Sequence, residues 1–555
     1  MDDILININL KKLYLLFIAF FIVGLGSLLT YYVHGPSIGI DDANITQTYA
    51  KNIAEGLGYV YNSGGERVEG STSWAWTVIN VFFFFISEEP EAFIAVFCFL
   101  LTVLTVNESL RLLRSLTSLL EINFPVCAVL LTALLISYAS FFTWTIWALM
   151  DVTLWTLLFT VIVGRFSSII IDENFSTSTS ATHWFLYTAL AFLPLVRPEG
   201  IAVSIGFTLL FSLVANSNRH VYFRNALWIS GGVSLALFFT LTAWRLHYFG
   251  FPAPNTFYAK VSVNYFTQTL EGIKYLVRYA LHPIVLVQAV FAFGFIGYFS
   301  TLRRSTDVNA ALIAAVWISS LFGVFGIYVF LGGDHFGSAR QFQVVTPILA
   351  TLASIGGGVL VSRTIKEANR DKHVLVRALN IFLIIAIGMF VTIPSIGKYM
   401  HDGGKIDHEF RIAENGRELG ALLNQLPSRP SVGVITAGGF AYTYDGHVYD
   451  LMGLNWTIMA HANPMHNINA PKNHAAFSKD VFYKHLPDIV TPRLGTCVFR
   501  SDEKLSATFS NLALNGILVE ERFKQKYVQA CFGDAIFFIK KELSDKLQTI
   551  LRVPS

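Results

Sequence analysis

From Leu13 to Ile40 the chain contains no Asp, Glu, Lys or Arg. Apolar runs of the same kind recur at about 73–87, 91–110, 125–143, 151–167, 183–196, 200–216, 226–244, 284–301, 309–331, 341–362 and 378–397. A helix needs about 20 apolar residues to cross the ~30 Å hydrocarbon core of a bilayer. So many segments near that length point to one class of fold, a polytopic α-helical membrane protein. Composition agrees: 54% of the 555 residues are hydrophobic and 14% charged, where soluble chains carry about 25% charged residues. The net charge of +3 carries no signal for nucleic acid, and no nucleic-acid partner is expected. The first apolar segment lacks a small-residue cleavage site and reads as a retained anchor.

Charge decides which way the spans face. Lys11 and Lys12 precede the first span, and the excess of Lys and Arg on cytoplasmic loops puts them inside and the loop from Asp41 outside. The run 73–87 is short for a span and is closed by Glu88, Glu89, Pro90 and Glu91. If it only dips into the membrane or lies along it, five basic clusters become cytoplasmic together. These are Arg111/Arg114, Arg165, Arg219/Arg224, Arg303/Arg304 and the run Arg363, Lys366, Arg370, Lys372, Arg377. The expectation is therefore about 11 transmembrane helices, with the N-terminus inside and the C-terminus outside. The outer loops are then 34–90, 144–151, 197–199, 245–283 and 332–340, with the tail from Lys398.

The chain divides into a membrane module, 1–397, and a polar tail, 398–555. Strand-like runs in the tail (Val432–Thr436, Ala535–Ile539) alternate with a helix-like run, Glu409–Leu426, which suggests a small α/β domain. Four irregularly spaced cysteines exclude a zinc ribbon or a disulfide scaffold. Cys497 and Cys531 share the tail and can pair if it stands in an oxidising compartment. Cys98 and Cys127 lie in spans and read as core residues.

Each outer loop carries a polar island. In the first, Asp41-Asp42 opens a helix over Ala43–Glu55 with Ile45, Tyr49 and Ile53 on one face, as on a helix lying in an interface. One Asp can cap that helix while the other faces substrate. Glu66, Arg67 and Glu69 follow. Arg197-Pro198-Glu199-Gly200 joins two apolar runs. Asn255, Tyr258 and Lys260 fall within eight residues, and Lys260 can neutralise a phosphate as a point charge, Tyr258 offering a ring to a sugar face. The stretch Gly332 to Arg340 holds Asp334 and His335, and Arg340 can bind a phosphate bidentately. Two such ligands are too few for a metal site, so no metal residues are assigned and no cofactor is firmly implied, although a divalent cation is possible. Asp151 would be explained by N-capping, and Asp450 to Asn455 has no evident role. A transporter would show charges within its spans and repeated halves; these spans are nearly charge-free and unrepeated.

Asp41-Asp42-Ala43, Tyr49-Ala50, Gly56-Leu57-Gly58, Tyr61-Asn62 and Glu66 to Gly70, after a first span, resemble the first external loop of the GT-C glycosyltransferases. Arg197 to Gly200, Pro254 to Lys260, Gly332-Gly333-Asp334 with Arg340, and Asp450 to Asn455 are similar to motifs of the terminal arabinofuranosyltransferase branch (AftB and its relatives). The resemblance covers nearly the whole chain. It implies a multi-pass enzyme of a bacterial inner membrane with its active site facing the periplasm. Its donor would be a polyprenyl-phosphate sugar, most narrowly arabinofuranose. Its acceptor would be a cell-surface glycan or a pilin-type glycoprotein. Asp41 or Asp42 maps to the catalytic base, Lys260, Arg340 and Arg197 to the donor phosphate, and Tyr258, Asn255, Glu199, Asp334, His335 and Glu69 to substrate contacts. Asp151 departs from the pattern, where relatives carry Glu.

Overall fold

The computed structural model describes residues 2–35, 38–171, 183–214, 221–261, 264–302, 308–370, 392–462 and 471–553. Most of the chain to residue 370 is helical. Among the described residues, five helices are long and apolar enough to cross a membrane: Lys12–Val33, Glu91–Leu119, Val152–Ile171, Phe223–Tyr248 and Gly337–Ser362. Two further pairs qualify jointly but are bent, Phe124–Ser137 with Ser140–Trp147 by 71° and Tyr265–Ala280 with Pro283–Gly297 by 84°. The sequence reads 125–143 as one straight span; the helix instead breaks at Tyr138-Ala139. Shorter apolar helices include Trp184–Val196, Gly200–Leu213 and Ala315–Phe330. Most of the expected last span, 378–397, lies outside the described residues, as do Arg219, Arg303, Arg304, Lys372 and Arg377.

The segment 73–87 forms an 11-residue helix, Trp74–Phe84. At 1.5 Å per residue it is about 16 Å long, half of what a crossing needs. Ser73 caps it by accepting from the Trp76 N–H. Arg111 and Arg165, both expected inside, meet on one carboxylate, Glu108, at 2.9 and 2.6 Å.

The tail folds around a five-stranded mixed sheet. Its strands are β1 (Val432–Val434), β2 (Val448–Asp450), β3 (Ile489–Leu494), β4 (Tyr527–Phe532) and β5 (Ala535–Lys540), in the order β2-β1-β3-β5-β4. β1 runs parallel to β2 and β3, while β5 is antiparallel to β3 and β4. The helix-like run becomes a helix over Asp407–Leu423. Cys497 and Cys531 are joined in a disulfide, and Cys98 and Cys127 are buried.

The first-loop helix, Asp41–Ala54, is where membrane part and tail meet. Ile45 and Tyr49 share one apolar cluster with Tyr59, Tyr61, Leu419, Val434 and Phe440. The stripe expected for an interfacial helix is thus buried against the tail. Arg417 fixes the same contact from the tail side. It donates to Asn44 Oδ1 (2.7 Å) and Gln47 Oε1 (2.8 Å) and pairs with Glu91 at 2.6 Å.

Candidate active site

The two adjacent carboxylates point to different partners. Ile40 occupies the cap position and no side chain caps the helix, so neither Asp is the N-cap; both lie in the first turn, where the helix dipole favours negative charge. Asp41 Oδ2 accepts from the Gly438 N–H (3.0 Å) and Oδ1 from the Gly439 N–H (2.8 Å). It is 8% exposed. Burial pushes its pKa up to about 6, and the two amides only partly oppose the shift. Gly438 is required there, since a Cβ would lie 1.8 Å from the Asp41 carbonyl oxygen.

Asp42 faces cations. Its Oδ2 lies 3.2 Å from Arg340 Nη1 and 3.8 Å from Lys260 Nζ. Burial works against its charge, but Lys260 and then Arg340 more than offset it, so Asp42 titrates below the usual carboxylate range. Lys260 ends the short helix Asn255–Lys260. Arg340 also pairs with buried Asp334 at 2.5 Å and its guanidinium lies 4.3 Å from the Phe336 ring centroid. The loop carrying Arg340 needs its glycines. Gly332 and Gly333 have φ of +84° and +67°, a region only glycine enters freely. Asp334 receives the His335 N–H (2.8 Å) and the Asn473 amide (3.0 Å), and the His335 Nδ1 lies 3.3 Å from it.

Two cavities meet at Asp42 and Lys260. One, of about 350 Å³, runs toward the membrane helices and is lined by Arg197, Glu199, Thr256, Asp334 and Arg340. The other, of about 610 Å³, opens beneath the tail and is lined by Asp41, His335, Glu409, Asn415, His474 and Arg493. Burial pushes Glu409 up to about 7. Among the described residues no group of three or more His, Cys, Asp or Glu is arranged to hold a metal ion.

Several predicted site residues turn out to hold the scaffold. Arg197 is neutralised by Asp151 (2.8 Å) and Glu199 (3.3 Å), so it lines the first cavity as part of an ion-pair cluster rather than as a free cation. Asp151, expected as a helix cap, is engaged instead in an ion pair with Arg197. Glu69 makes a two-pronged pair with Arg245, at 2.7 and 2.9 Å, with both side chains 2% exposed, and it lines neither cavity. Asn255 donates its amide to the carbonyls of Gly453 and Leu454. Tyr258 packs on the ring of His461 at 4.2 Å, away from both cavities.

The stretch Asp450 to Asn455 acquires a role. Buried Asp450 accepts from the Met452 and Asn455 N–H groups and the Asn455 amide. Asn455 Oδ1 then accepts from the Tyr49 hydroxyl (3.0 Å), whose oxygen receives the Gly70 N–H. That chain of bonds clamps the first loop to the tail. Sequence reading missed Arg245 and Arg417. The available signal was charge near a span end at Arg245, and at Arg417 a lone cation on a helix's buried face.

No family model and no curated protein matches this sequence. Solved structures do. The apo oligosaccharyltransferase from Archaeoglobus fulgidus superposes with a TM-score of 0.51 at 8% identity, covering 94% of this chain and 74% of that one. Apo ArnT from Cupriavidus metallidurans gives 0.47 at 14% identity, covering 80% and 87%. The helical membrane part with its sheet-containing tail is therefore a GT-C fold.

Proposed function

We propose that this protein is a membrane glycosyltransferase that moves a sugar from a polyprenyl-phosphate donor to an acceptor outside the cytoplasm. The observation that carries the reading is the meeting of Asp42, Lys260 and Arg340 where two cavities join, with Asp41 on the tail side. The membrane-side cavity receives the donor, and the cavity under the tail receives the acceptor. The acceptor hydroxyl oxygen attacks the anomeric carbon as the bond from that carbon to the phosphate oxygen breaks. Its proton passes to Asp41, whose raised pKa suits a general base working near neutral pH. The electron pair leaves with the phosphate, and Lys260 and Arg340 balance its charge as fixed cations. Asp42 holds both cations in place before the donor arrives. A single displacement of this kind inverts the anomeric centre.

The narrower reading is arabinofuranose transfer to a surface glycan or a pilin-type glycoprotein at a bacterial inner membrane, with the site facing the periplasm. It rests on the motif resemblance, with 1–397 as the transferase module and 398–555 as the domain that roofs the acceptor cavity. The test is radiolabelled transfer by purified protein from polyprenyl-phosphate arabinofuranose, compared with other lipid-linked sugars. Transfer from another sugar alone removes the narrow reading. No transfer from any of them, with the protein shown to be folded, removes the broad one.

A further inference from the structure

A third cavity, of about 770 Å³, shares His335 and Phe336 with the cavity under the tail but is not lined by Asp42, and opens where both bent helices break. Ser137 to Ser140 line it from the first break and Leu281 to Pro283 from the second. Broken helices build binding sites in membrane proteins. The charge of this cavity is one-sided. Among the described residues, Arg278, Lys398 and Lys405 line it against a single acid, Asp402, whose Oδ1 already accepts the Gly404 N–H at 2.9 Å. None of the three cations makes an ion pair among the described residues, in contrast to Lys260, Arg340, Arg197 and Arg245. His282 and His335 also line it, and the His282 Nδ1 is buried without a hydrogen-bond partner. Exposed apolar side chains flank its lining in sequence: Leu281, itself a lining residue, is 64% exposed, and Ile393, next to Pro394 of the lining, is 66% exposed.

We propose that this cavity binds a phosphate carried on a lipid, with the phosphate between Arg278 and Lys398 and the chains against Leu281 and Ile393. Three cations facing one acid make a positive surface potential that attracts an anion, and a lipid phosphate matches it while its tail covers the exposed side chains. The floor of the cavity is the loop that carries Arg340. Ser338 and Ala339 sit there at φ of +56° and +50°, unfavourable for residues with a Cβ. That loop is held by the Tyr138 hydroxyl donating to the Ser338 carbonyl and Ser338 Oγ donating to the Gly404 carbonyl. Occupancy would brace that loop. The site stands whether or not the Asp42 cavity performs transfer.

The test uses full-length protein in neutral detergent, titrated with phosphatidylglycerol, undecaprenyl phosphate or phosphatidylcholine. Bound lipid is counted by native mass spectrometry and thermal shift. Titrations are run on a Lys260→Ala background to remove binding at the Asp42 cavity. One saturable site for phosphatidylglycerol, undecaprenyl phosphate or both is expected; which lipid binds tells whether the bilayer or the sugar carrier supplies the phosphate. Arg278→Ala with Lys398→Ala should weaken that site at least about tenfold, or about 1.4 kcal/mol. Lys274→Ala, which removes an exposed cation paired with Glu271 on the same helix, should not. If the double variant does not fold, Lys398→Glu at its exposed position replaces it. Unchanged binding in the cavity variants, equal loss in Lys274→Ala, equal binding of phosphatidylcholine, or no saturable site each overturns the proposal.

Discussion

Replacing Asp41 by Asn separates a structural carboxylate from a chemical one. Asp41 titrates at about 6 in the fold against 3.8 in the unfolded chain. The folded state therefore holds the proton more tightly. The group's contribution to stability is greatest below about pH 4 and falls as the pH rises to 6, above which the full cost of ionising it is present. Each pKa unit is worth about 1.4 kcal/mol, so the ionised carboxylate costs about 3 kcal/mol at neutral pH. Asn carries no charge and escapes that cost. It offers only one oxygen to the two amides of Gly438 and Gly439, and its NH₂ meets an N–H donor head-on, a loss of about 1–3 kcal/mol. The two effects nearly cancel. We expect Asp41→Asn to match the parent within about 2 kcal/mol at pH 7 and to lose the parent's fall in stability between pH 4 and 6. Transfer should drop about 10²–10⁴-fold, the usual contribution of a general base. Thermal unfolding in detergent from pH 4 to 8, beside the radiolabelled transfer assay, reads both. Full transfer by the variant refutes Asp41 as the base. A loss of stability above about 4 kcal/mol at pH 7, with transfer falling in step with unfolding, shows that the carboxylate is a latch and nothing more.

Lys260→Ala should lower turnover by about 2–4 kcal/mol of transition-state stabilisation with little change in membrane insertion, and Arg340→Lys should also impair transfer, because a point charge cannot serve Asp42, Asp334 and a phosphate as a fork does; steady-state kinetics with lipid donor checks both. Glu69→Gln should destabilise the chain by about 3–5 kcal/mol by stranding Arg245 in the interior, and Glu69→Gln with Arg245→Met should recover part of that in thermal unfolding. Cys497→Ser should cost about 2–4 kcal/mol in tail stability, seen as earlier proteolysis of the tail, with the sheet intact by circular dichroism at low temperature.

Much of the architecture was legible because it depends on local composition. Charge-free runs mark membrane helices wherever they fall, since a bilayer rejects unpaired charge whatever the topology. The short run 73–87 could be set apart because its length and closing glutamates are properties of the segment alone. Tail and membrane part separate by polarity, and the polar islands stand out against apolar flanks. What sequence could not decide is which island residues face solvent-filled space and which face each other. Asp41 and Asp42 are neighbours in sequence, yet one is spent on amides nearly 400 positions away and the other on two cations from different loops. Glu69 and Arg197 look like free substrate-binding groups until the fold pairs them with Arg245 and Asp151, because burying a charge is tolerable only with a partner and the partner lies in another part of the chain. Hydropathy likewise could not reveal the break at Tyr138-Ala139, whose residues are as apolar as a helix requires; only the packing of the tail and the Arg340 loop against that turn shows what the break makes room for.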